Sequence, residues 1–159
     1  MRTTEIQAPE SMRIEHDEIH GELVEATKRD GRIGEAAREL AKVLHSHFER
    51  EEEIALPPLG LLRPLAAGEF DRAMMEVLGM TDALREELPQ MLEEHRAIAA
   101  AAHRLGKVAH EEGDARVEKL AQKLQLHAQS EEELFYPAAL LVGELVRARA
   151  RSIGTGIRD

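Results

Sequence analysis

Apolar residues recur along this chain at alternating steps of three and four, the spacing that keeps them on one face of an α-helix. Four such stripes are present. Met12, Ile19, Leu23 and Ala26 form the first, and Ile33, Ala37, Leu40, Leu44 and Ile54 the second. Leu84, Leu88, Met91, Ile98, Ala102 and Leu105 form the third, and Val117, Leu120, Leu124, Leu134 and Ala138 the fourth. They predict helices over about 9–29, 33–56, 81–111 and 115–152. Asp30-Gly31, Pro57-Pro58 and Gly113-Asp114 supply the breaks, and Thr81-Asp82 supplies an N-cap. Pro89 either kinks the third helix or marks its start, and Pro137 should bend the fourth. Residues 57–80 are the least regular, with a short helix expected in 69–78 whose Leu and Met residues pack over one end of the others.

Polar residues interrupt every stripe. His16, His47, His95 and His127 each stand in phase with the apolar residues, and Glu51 and Glu131 follow two of them by four positions. The strings HFEREEEIALP from His47 and HAQSEEELFYP from His127 are twins at an offset of 80, and RIEHDEI around His16 answers LEEHRAI around His95 at an offset of 79. Helix pairs repeated in this way, with short connections, predict an all-α, up-down-up-down four-helix bundle of pseudo-twofold symmetry, with a short extra helix between helices 2 and 3. The division expected is an N-terminal tail, 1–8, a bundle, 9–152, and a C-terminal tail, 153–159.

A His and a Glu one turn apart ordinarily form an exposed ion pair worth roughly 0.3–0.5 kcal/mol. Here that reading requires Glu51 and Glu131 to face water, against the apolar residues around them. A buried unpaired carboxylate costs several kcal/mol, so it takes a partner or a metal ion. Four inward imidazoles and two inward carboxylates are a ligand set for two ions sharing both carboxylates. Such nitrogen and oxygen donors suit iron, manganese or zinc. The chain has no Cys, which excludes disulfides, thiolate metal sites and Cys nucleophiles.

With these residues in these positions, the chain resembles the hemerythrin family in its broad bacterial form, the HHE cation-binding domain, from Pro9 to about Arg149. That family carries His on its first helix, His-x-x-x-Glu on its second, His on its third and His-x-x-x-Glu on its fourth. The resemblance implies two iron ions bridged by Glu51, Glu131 and an oxo or hydroxo group. Oxygen-carrying members have a further His four residues after the third-helix His, where this chain has Ala99. The repeat places His20 at the matching position of the first half. The expectation is therefore an inverted asymmetry, with His16, His20 and His47 on one metal and His95 and His127 on the other. The alternative is that His20 is a partly exposed surface residue or a donor behind the ligands.

The function expected is binding of a small oxidant, O2, NO or peroxide, with the Ala-rich run 97–102 leaving room beside His95. Two other readings are a peroxide-decomposing or iron-donating repair enzyme, and an iron or oxygen sensor acting through a protein partner. His45 faces away from the core, and Glu15, Glu52, Glu94 and Glu132, each beside a ligand in sequence, either face water or orient ligands from behind. A net charge of −10 argues against nucleic acid as a partner. The N-terminal residues lack a signal-peptide pattern, and no apolar run approaches the roughly 20 residues of a membrane span. The expectation is a cytoplasmic protein with no membrane partner.

Overall fold

The four apolar stripes fold as long helices in the computed structural model, which describes residues 6–155. Of the two expected tails, residues 1–5 and 156–159 lie outside the described residues. Helix α1 spans Glu10–Thr27, with Pro9 as its N-cap, and α2 spans Gly31–Ile54. A 3-10 turn, Pro57–Leu61, leads into the short helix α3, Leu62–Ala66. A second 3-10 turn, Arg72–Glu76, leads into α4, Val77–Glu111. The last stripe divides into α5, Ala115–Ser130, a π-helical turn, Glu131–Phe135, and α6, Tyr136–Thr155. There is no strand among the described residues.

The helices form the expected up-down-up-down bundle, α1 packing on α2 and α5, and α4 on α2, α5 and α6. Gly113 makes the tight α4–α5 turn at φ 72°, a backbone region that residues with a Cβ rarely enter. Among the described residues no helix is long and apolar enough to cross a membrane.

Three local expectations change. The third long helix begins at Val77, so Thr81 lies inside it, buried, with its hydroxyl donating to the Leu78 carbonyl at 3.3 Å. The effective start signal is Asp71, whose carboxylate accepts from the Ala73 amide ahead of α4. Pro89 sits on the exposed side of α4 and neither starts nor ends it. The helix expected in 69–78 is instead a 3-10 turn running into α4, and α3 lies earlier.

The bend before Pro137 takes the form of a π turn. Pro137 lacks an N–H and its ring crowds the carbonyl four residues back, so the ladder slips by one residue and the Tyr136 amide donates to the Glu131 carbonyl. The first twin ends its helix before Pro57 instead, and there the Ala55 and Leu56 amides both donate to the Glu51 carbonyl at 2.9 Å.

Two apolar clusters fill the bundle with a polar layer between them. Ile19, Leu23, Leu44, Ile98 and Leu124 belong to one cluster, and Met12, Ile54, Met91 and Tyr136 to the other. On every long helix the buried His falls between members of the two. A third cluster, with Leu61, Leu65, Met74, Val142 and Val146, packs the irregular segment over the end of the bundle against α6. Its Leu and Met residues therefore act as packing.

Helices α4 and α6 approach closely at Gly143, where an added Cβ would lie 2.7 Å from the Thr81 Cβ. Gly143→Ala is expected to destabilise the protein by about 1–3 kcal/mol through overpacking. Equilibrium urea unfolding measures this, and an unchanged midpoint would contradict the close helix contact.

Candidate metal centre

His16 on α1, His47 and Glu51 on α2, His95 on α4, His127 on α5 and Glu131 in the π turn all point into the polar layer. Each is at most 3% exposed. Their ligand atoms form two overlapping groups, His16 with His127 and His47 with His95, and both groups contain Glu51 and Glu131. Within each group the ligand atoms lie within 4.8 Å of one another. The pairing differs from the expected division, because α1 presents its imidazole toward α5 and α2 presents its own toward α4.

The outward nitrogens explain why the inward ones are available. His16 Nδ1 faces Glu52 at 3.4 Å, His47 Nδ1 faces Glu94 at 2.7 Å, His95 Nδ1 faces Glu132 at 2.9 Å and His127 Nδ1 faces Glu15 at 2.5 Å. An ionised carboxylate only accepts, so each imidazole donates from Nδ1 and turns the lone pair of Nε2 inward. The four contacts run around the bundle, each imidazole taking its carboxylate from a neighbouring helix. All four carboxylates adjoin a site residue in sequence.

The inward atoms then lack partners. His47 Nε2, Glu51 Oε2 and Glu131 Oε2 are buried without a hydrogen bond, and His47 Nε2 stands 3.0 Å from Glu51 Oε1 off the hydrogen-bond direction. His16 Nε2 and His127 Nε2 approach to 3.0 Å. With both protons on Nδ1 that contact sets lone pair against lone pair. Two ligand atoms at about 2.1 Å from one ion and at right angles are about 3.0 Å apart, so a shared cation resolves it.

The carboxylates show the same demand. Burial, then the charge of Glu51, pushes the Glu131 carboxyl well up. Burial also opposes the charge on Glu51, but its close approach to Glu131, His47 and His95 outweighs that and holds the carboxyl well down. Two buried carboxylates side by side oppose each other's charge, and a cation between them would relieve that opposition.

Sequence reasoning missed Tyr136. It is 1% exposed, its ring stacks on His95 with centroids 5.4 Å apart, and its hydroxyl donates to Glu51 Oε1 while lying 3.0 Å from His95 Nε2. In an α-helix a residue five beyond Glu131 would point away from it, but the π turn brings the two to one side. The same slip turns Leu134 outward to 61% exposure and breaks the stripe assigned to it. The signal available was Pro137, read only as a bend.

His20 is exposed and belongs to neither group. The 40° that separates positions four apart carries it off the buried face of α1, where His16 and Ile19 already fill the core side. The expected third imidazole on His16 and His47 is therefore not assembled. Ala97, Ala99 and Ala100 are also exposed and Ala101 and Ala102 pack in the apolar core, so the Ala-rich run opens no space beside His95, whose flank is covered by Tyr136. His45, His103 and His110 lie on the surface.

The profile of the hemerythrin HHE cation binding domain matches residues 10–139. The chain belongs to that family. No curated protein and no solved structure gives a significant match. The family's cation-binding character agrees with a buried His and Glu layer whose inward atoms are unpartnered, and the layer is a metal-binding arrangement.

In this HHE domain the carboxylates behind the imidazoles should matter in proportion to their contacts. Glu94→Ala and Glu15→Ala are expected to weaken metal binding by about 10–100-fold, as for other residues that orient metal-bound His. Glu52→Ala should do less, since Glu52 is 3.4 Å from His16 and 55% exposed. Competition with a chromophoric chelator measures the series, and equal affinities throughout would contradict the orienting role.

Proposed function

We propose that this HHE domain, residues 9–152, is a non-haem di-iron protein that binds a small oxidant, O2, NO or peroxide, at two iron ions bridged by Glu51 and Glu131. An oxo or hydroxo group would complete the bridge. His16 and His127 would hold one ion, and His47 and His95 the other. The observation that carries this reading is the overlap of the two ligand groups, each of which needs both carboxylates. Two separate ions would not need to share them. A donor set of imidazole and carboxylate without thiolate suits iron. When bound, a pair of iron ions supplies electrons and open positions for a small oxidant.

The protein's part is to admit a small molecule and keep larger ones away. A crevice of about 250 Å³, lined by His16, Asp17, His20, His45, Phe48, Glu49 and Glu52, reaches the edge of the layer at His16. Phe48 stacks on His16 with centroids 4.1 Å apart and narrows the approach. The open side is thus at α1 and α2, opposite the flank of His95 that Tyr136 covers.

Purified after iron-replete expression, the protein is expected to contain about two iron ions per chain and to change its visible spectrum on exposure to O2 or NO. Glu51→Ala should lose both ions, because Glu51 belongs to both groups. Metal analysis and absorption spectroscopy measure this. Stoichiometric zinc without iron, or one retained ion in Glu51→Ala with unchanged affinity, would overturn the reading.

A further inference from the structure

The twin strings differ at the residue before their proline, Leu56 in the first and Tyr136 in the second. Both residues follow a site Glu by five positions, both amides donate to that Glu's carbonyl, and both side chains are 1% exposed. That bond to the Glu carbonyl is common to both halves, and the side chain it places is not. On one side it delivers a hydrocarbon, on the other a phenol.

We propose that Tyr136 is a metal ligand, its phenolic oxygen coordinating the ion held by His47 and His95. This rests on the di-iron reading above. Tyr136 Oη lies 3.0 Å from His95 Nε2, about the separation of two atoms bound at right angles to one ion at ordinary metal–ligand distances. It also contacts Glu51 Oε1, a second atom of the same group. The stacking of its ring on His95 and its burial beside Ala139 and Met91 hold the oxygen there. No other described side chain on that flank supplies a further donor, since Ala99 is a methyl group facing outward. Coordination exchanges the phenol O–H bond for an oxygen–metal bond and releases one proton to solvent. The two ions then differ, one with a phenolate and covered, the other without it and beside the crevice at His16.

The test is resonance Raman and absorption spectroscopy of the oxidised, iron-loaded protein beside Tyr136→Phe. The expected result is a visible charge-transfer band that enhances phenolate ring vibrations in the wild type, and loss of both in Tyr136→Phe at unchanged iron content. Tyr136 is the only tyrosine in the chain, so any phenolate vibration is its own. If Tyr136→Phe fails to fold or to load, the wild-type spectrum decides alone. Retained iron with no phenolate vibrations overturns the inference and leaves the di-iron reading standing. Failure of the wild type to retain iron overturns both.

Discussion

Everything in this bundle is arranged around a layer of six polar groups that its own apolar core has cut off from water. Four imidazoles and two carboxylates sit between two hydrocarbon clusters, and each group is at most 3% exposed. Burying one unpaired carboxylate costs several kcal/mol, a sizeable part of the 5–15 kcal/mol by which a domain is stable. The outer carboxylates satisfy every Nδ1 and so remove the alternative of turning the imidazoles outward. What remains inward is an excess of lone pairs over protons. A cation is the partner that this excess selects, and Glu51 and Glu131 are common to both groups of ligand atoms.

The pseudo-twofold repeat gives the layer its symmetry, and the residue before each proline gives it its difference. In both halves the amide five residues after the Glu donates to that Glu's carbonyl, across a helix end in the first and a π turn in the second, and the side chain there is buried. Leu56 extends the hydrocarbon wall, whereas Tyr136 adds a hydroxyl beside His95 and Glu51. Similar helices thus bring unlike side chains, a hydrocarbon and a phenol, to the two sides of the layer.

The fold and the six inward residues were legible in the sequence because helical phase is additive as long as the helix is regular. Stripes read at steps of three and four placed His16, His47, Glu51, His95, His127 and Glu131 on buried faces. The reading failed where phase or edge position decided. Beyond Glu131 the π slip shifts the phase, which sent Leu134 to the surface and brought Tyr136 inside. His20 fell on the wrong side of a 40° margin that sequence offsets do not resolve. The pairing of imidazoles across α1 and α5, and across α2 and α4, depends on which way each helix is rotated in the bundle, and no spacing along one helix contains that.

The most direct test of a layer that requires cations is the thermal unfolding midpoint of the metal-loaded protein against the same protein stripped by chelator and again after metal is restored. A ligand present at a thousandfold its Kd stabilises the folded state by about 4 kcal/mol. At roughly 2–4 °C per kcal/mol for a domain of this size, stripping should lower the midpoint by on the order of 10 °C, and restoring metal should recover it. Equal midpoints in all three samples would contradict the account, because the six groups would then be satisfied without a metal ion.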